Sequence, residues 1–163
     1  MKKYELTSET KVINGVELHR IKALKSFGNI KKGDLGGWIE SEKNLSQDGN
    51  AWVFDNATVY GDATVSGNAT VYGNTYVGGD ATVYGNATVS DNADFIVFKN
   101  WWSSGRYFTW TRSNNKWKVG CFYGSGEELI AKAYKDSEKS GREYERVVKY
   151  VNDMLKEDND NGN

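Results

Sequence analysis

The sequence predicts a mainly β protein. Its centre is a short single-stranded β-helix, a hexapeptide-repeat solenoid, flanked by an N-terminal β-hairpin and a C-terminal α+β module of about three strands and two helices. Three observations predict it. Residues 49–96 divide into six-residue units without a gap, and an Asn14-Gly15 pair joins two alternating runs near the start. Past residue 96 the beat gives way to aromatic runs, then to two capping boxes ahead of amphipathic stretches.

The first element is the hairpin. "KYELT", "SETKVING" and "VELHRIKAL" read as strand, turn and strand, because Asn and Gly both tolerate the positive φ that a two-residue hairpin turn requires. Alternation sends Leu18 and Ile21 toward a core and Glu17 and Arg20 toward water. His19, the single histidine of the chain, reads as an exposed strand residue, with a catalytic role as the alternative.

The solenoid follows. Its hexads run GNAWVF, DNATVY, GDATVS, GNATVY, GNTYVG, GDATVY, GNATVS and DNADFI. The third position is Ala except at Thr75, and the fifth is Val until Phe95. A small and a β-branched inward residue give each hexad one short strand, and the Gly/Asp and Asn/Asp pairs before them suit corners. Three strands per coil make a triangular turn of about 18 residues, repeated as solenoids repeat. In rhythm the pattern resembles the left-handed hexapeptide helix, although spacing alone leaves a right-handed coil open. Residues 18 apart should stack: Asn50, Asn68 and Asn86 in one ladder, Asn56, Asn74 and Asn92 in a second, and Asp62 over Asp80 at the third corner. Upstream, "GDLGGWIESEKNLSQDG" keeps a degraded beat with Leu35, Ile39 and Leu45 as inward candidates, and reads as an irregular capping coil.

After residue 96, "DFIVFKNWW", "RYFTWTR" and "KWKVGCF" read as three strands with turns at Ser103-Ser104-Gly105 and Ser113-Asn114-Asn115. Ser125-x-x-Glu128 and Ser140-x-x-Glu143 cap two helices. The second carries Tyr144, Val147, Val148, Val151 and Leu155 on one face. The expected organisation is a hairpin cap over 1–32, the solenoid over 33–96, the α+β module over 97–157 and a polar tail over 158–163.

Composition narrows the function classes. The chain has 163 residues, with 21 Lys+Arg against 22 Asp+Glu, so no global basic field argues for nucleic acid. One cysteine, Cys121, is consistent with a reducing compartment, and no run is apolar enough to span a bilayer. These features predict a cytoplasmic protein without a membrane partner. No phosphate-cradling motif or metal-spaced Cys/His set appears, so neither cofactor nor metal is expected. Two stacked aspartates fall short of the oxygens that calcium takes.

The repeat's threonines are too dispersed over the faces to form an ice-binding plane, and hairpin and module are placed to cap the open ends, which favours a closed homo-oligomer over a filament. Enzymes that resemble this chain in its repeat transfer acyl groups, usually as trimers with a histidine base at a subunit boundary. The repeat here holds no histidine, and the expectation is a protein that is not an enzyme. Function is therefore sought in the aromatic segment, where Trp101, Trp102, Arg106, Tyr107, Trp110, Arg112 and Trp117 interleave rings with cations. Such residues stack bases or hold phosphate, and a surplus too large for one sheet face marks a binding or dimer surface.

"YELT", "LHRIKALKSFG", "KKGDLGGWIESEKNLSQDGNAWVFDNATVYGDA" and "GCFYGSGEEL" together resemble a family of small hexapeptide-repeat proteins carried by phages and prophages of Gram-positive bacteria. The resemblance implies a β-helix with a C-terminal α+β cap and brings no catalytic residues. By analogy it implies a counter-defence role: a non-catalytic inhibitor that binds a host defence protein or sequesters its nucleotide-derived signal. A hexapeptide-type acyltransferase and a structural assembly protein are the alternatives.

Overall fold

A computed structural model describes residues 1–161. Strands β1 (Tyr4–Ile13) and β2 (Val16–Ala23) form the hairpin, turned at Asn14 (φ 50°) and Gly15 (φ 81°). β2 pairs antiparallel with β3 (Leu35–Ile39), which in turn pairs parallel with the first repeat face. The junction works only because Gly36 has no side chain. A Cβ there would sit 2.6 Å from Val53 O and 2.7 Å from both Ile21 and Trp52.

Seven two-residue strands follow: β4 (Trp52–Val53), β5 (Thr58–Val59), β6 (Thr64–Val65), β7 (Thr70–Val71), β8 (Tyr76–Val77), β9 (Thr82–Val83) and β10 (Thr88–Val89). They fall into three parallel sheets, β3-β5-β8, β4-β7-β10 and β6-β9. Thr58 registers on Tyr76, Thr64 on Thr82 and Thr70 on Thr88, so pairing recurs every 18 residues. The hexad alanines and valines from Ala51 to Val89 are fully buried, with Thr75 taking the alanine position in one hexad and lying 3 % exposed. Corners close tightly: Gly49 has φ 70°, and a Cβ on it would meet Gly67 O at 2.5 Å. The asparagine ladder contributes one long bond, Asn68 Nδ2 to Asn86 Oδ1 at 3.5 Å, and Asp62 pairs with Lys43 at 3.0 Å.

Any coil leaves unpaired backbone groups at its two ends. At the N-terminal end the Lys3 ammonium, only 1 % exposed, donates to the carbonyls of Ala51 (2.8 Å), Gly49 (3.4 Å) and Asp48 (3.5 Å). The Tyr4 hydroxyl donates to Leu45 O at 2.6 Å. At the far end the last coil's amides donate to side-chain oxygens: Thr82 N to Thr109 Oγ1 and Thr88 N to Ser113 Oγ, both at 2.8 Å, and Ser90 N to Asp94 Oδ2 at 2.9 Å.

Those acceptors come from the C-terminal sheet or its approaches. Strands β11 (Phe95–Lys99), β12 (Tyr107–Thr111), β13 (Lys116–Val119) and β14 (Phe122–Gly124) form an antiparallel meander. One face carries Phe95, Val97 and Thr109 toward the solenoid; the other carries Ile96, Phe98, Phe108, Trp110 and Trp117 toward the helices α1 (Gly126–Asp136) and α2 (Glu138–Asn161).

Several expectations are corrected. Leu35 is 54 % exposed, because it precedes the close approach at Gly36 and pairs with Lys22 on the hairpin side. The meander has four strands, the fourth being the short Phe122–Gly124 that the aromatic pattern merged with its neighbour. Ser125 does cap α1 through a reciprocal pair with Glu128. Ser140 caps nothing: α2 has already begun at Glu138, and Ser137 Oγ accepts the Ser140 amide at 3.0 Å. The supposed polar tail is helical through Asn161, and its last two residues, Gly162 and Asn163, lie outside the described residues. No described helix is long and apolar enough to cross a membrane.

Burial pushes Lys3 down from 10.5 to about 8 and holds the Tyr4 phenol above its usual range. In the unfolded chain Lys3 keeps its proton to higher pH, so stability rises as pH climbs from about 8 toward 10. Above that, ionisation of the unfolded tyrosine acts in the opposite direction. Thermal unfolding from pH 7 to 10 should therefore show a rise that Lys3→Met removes; a flat native profile would refute this account of the cap.

Candidate functional site

A cleft of about 810 Å³ lies at one end of the C-terminal sheet. Three segments build it. The β11–β12 loop is held shut by Asn100, 5 % exposed, whose amide donates to the Tyr144 hydroxyl (3.3 Å) and whose Oδ1 accepts from Ser103 N (2.9 Å). The loop closes through Gly105 N to Asn100 O and Asn100 N to Arg106 O. Opposite it, the β13–β14 turn presents Gly120, Cys121 and Phe122, and the α1–α2 junction brings Lys132, Asp136 and Ser137. Arg106 reaches across toward the turn: a Cβ on Gly120 would lie 4.0 Å from its Nη1. Phe108 and Tyr144 lie buried at the cleft's lining, and burial raises the Tyr144 phenol.

The structure divides the residues expected to form a contact surface. Arg106 and Tyr107 line the cleft, with Tyr107 46 % exposed. Trp101 is 65 % exposed, with the Lys139 ammonium over its ring at 5.4 Å. Trp102 is half-buried; its indole donates to Ser140 Oγ at 3.1 Å and meets Tyr144 edge-on. Trp110 and Trp117 are 0 % and 1 % exposed and belong to the core under the helices, not to a surface. Arg112 is tied down by Asp158 (3.1 Å) and by Ala93 O (3.1 Å). The surplus of rings is absorbed because both sheet faces are covered, one by helices and one by the solenoid end. Cys121, Lys132 and Asp136 complete the cleft. Nothing in their own sequence neighbourhoods marks them, since a turn and a helix end meet only in the folded chain.

A second feature lies on the hairpin. His19 is paired in register with Ile39, and its Nε2 stands 3.3 Å from Glu17 Oε1. A carboxylate at Nε2 favours the tautomer protonated there and leaves Nδ1 as the accepting nitrogen. The outer side of the same sheet has Lys11 and Arg20 over the Trp38 ring at 4.4 and 5.5 Å. Next to it, Leu18, Thr58, Tyr60 and Tyr76 line a niche of about 230 Å³. No group of three or more metal-ligating side chains occurs among the described residues.

Comparison with known proteins bears on the solenoid. The YdcK beta solenoid repeat model matches residues 51–67 and 63–79. The chain is also 33 % identical over 67 residues to the uncharacterized acetyltransferase YdcK of Escherichia coli (strain K12), a stretch covering 36 % of this chain and 21 % of the relative. The chain thus spans about a fifth of the length of the curated relative it matches. The similarity is distant and partial, and it concerns a repeat protein named for acetyl transfer. It corrects the expectation that the chain is not an enzyme: the relative is named as an acetyltransferase, and the repeat expected to be inert scaffold matches a repeat model of the same name. The match carries no information on a phage origin or a counter-defence role.

The burial difference between the tryptophans is measurable. Trp110→Ala should lower unfolding free energy by about 3–5 kcal/mol in urea titration, whereas Trp101→Ala should stay within about 0.5 kcal/mol of the native chain. Equal losses at both positions would contradict the assignment of Trp110 to the core.

Proposed function

We propose that the chain transfers an acyl group from a thioester donor, with His19 as general base and the solenoid as scaffold. The observation that carries this reading is the shared stretch with a protein named as an acetyltransferase. The His19–Glu17 pair supports it, since imidazole is the side chain most used to move protons at a reacting oxygen or nitrogen, and this chain has one. Nδ1 takes the proton of an acceptor hydroxyl or amine as that atom attacks the thioester carbonyl. The C–S bond breaks, the acyl group passes to the acceptor, and the imidazolium returns its proton to the departing thiolate. Glu17 holds the ring in the tautomer this requires. The homo-oligomer expected from the capped solenoid ends belongs to the same reading, and sedimentation of the native chain tests it.

The activity test is thiol release from acetyl-coenzyme A in the presence of amino-sugar, amine and hydroxyl acceptors. Turnover above the uncatalysed rate is expected, with His19→Ala slower by about 10²–10⁴ and Glu17→Gln affected less. Absence of acetyl transfer to every acceptor class, or full activity in His19→Ala, would sink the proposal.

A further inference from the structure

The cleft at the sheet–helix seam carries two cations with no ion-pair partner among the described residues, Arg106 and Lys132. Elsewhere on the module every arginine is ion-paired, Arg112 with Asp158, Arg142 with Glu138 and Arg146 with Glu143, and Lys149 pairs with Asp153. Arg106 and Lys132 line this one concavity from opposite segments, the loop before β12 and helix α1. Their setting is not generic surface. Ser104 and Ser137 add neutral hydroxyl donors, and Asp136 is the single carboxylate of the lining. Aromatic walls come from Tyr107, Phe122 and Tyr123. The volume of about 810 Å³ matches a ligand of nucleotide size, since sites for such molecules run from about 300 to 1,000 Å³.

We infer that this cleft binds a nucleoside phosphate. Arg106 offers a planar fork of donors suited to phosphate oxygens, and Lys132 a compact second charge. Tyr107, already half-exposed, provides a face on which a base stacks, a sequence-tolerant contact because every base has a π-face. Asp136 accepts from a ribose hydroxyl, which gives the lone carboxylate a role beside two cations. The site is pre-formed: Asn100 fixes the Arg106 loop by bonds to Ser103 and Tyr144, so little ordering is left to binding. This inference stands on the cleft alone and does not depend on acyl transfer at His19.

Isothermal titration with ADP, adenosine and inorganic pyrophosphate, at two salt concentrations, tests it. ADP should bind saturably and more tightly than either fragment, and more weakly at high salt. Arg106→Ala and Lys132→Ala should each weaken ADP at least tenfold, and Tyr107→Ala should weaken ADP and adenosine while sparing pyrophosphate. Lys135→Ala, an equal charge change on α1 outside the cleft, should leave binding intact. All four positions are exposed, and circular dichroism checks that each variant folds. No saturable ADP binding at millimolar concentration would overturn the inference, as would native affinity in Arg106→Ala or a loss in Lys135→Ala equal to that in Arg106→Ala.

Discussion

Backbone hydrogen bonding between coils 18 residues apart is the constraint from which the remaining structure follows. Trp52 N donates to Ala69 O, Thr58 N to Thr75 O and Thr70 N to Ala87 O, each near 3 Å, and the pattern leaves no slack for a bulky side chain inside. Such a ladder is self-sufficient only in its middle. Its first and last coils present backbone groups that water or protein must satisfy. The two ends are met by opposite chemistry: a buried ammonium and a phenol donate to carbonyls at one, and hydroxyls with a carboxylate accept from amides at the other. Lysine is an unusual choice for a fully covered position, and its lowered affinity for a proton is the electrostatic signature of that choice.

The need to close the far end also explains the C-terminal module. A meander laid over an open coil must place polar side chains toward the amides and apolar ones toward the helices. Thr109 against the solenoid and Phe108 and Trp110 against α1 and α2 satisfy both demands on one strand. Gly85 gives space to Tyr123, whose ring meets Tyr84 edge-on at 5.0 Å. With both faces covered, the module's free perimeter is its strand ends, and the cleft forms there. The scaffold thus determines where a ligand can be met even though the repeat lines none of that cleft.

What was legible in the sequence was whatever repeats or obeys a local rule. Ala and Val at fixed hexad positions gave the buried interior, Asn14-Gly15 the hairpin turn, and Ser125 with Glu128 the start of α1. The degraded coil misled at Leu35, because its inward space is filled by Ile21 and Trp52 through Gly36, a contact between distant segments. Ser140 satisfied the capping pattern but lay inside a helix that begins earlier. Alternation identified the two faces of β12 without saying that both are covered, so Trp110 and Trp117 were indistinguishable from Tyr107. Lys3, near the chain start, carries no sign of burial. The cleft's Lys132, Asp136 and Cys121 come together only through tertiary packing, and no local pattern announces them.

The central claim is that the solenoid is closed at its far end by side-chain acceptors. Native-state hydrogen exchange resolved by residue tests it at the amides of Thr82 and Thr88. These amides should exchange as slowly as Thr64 and Thr70 one coil earlier, and Thr109→Val with Ser113→Ala should release them while Thr64 and Thr70 stay protected. Rapid exchange at Thr82 and Thr88 in the native chain would show an open coil end and contradict the account.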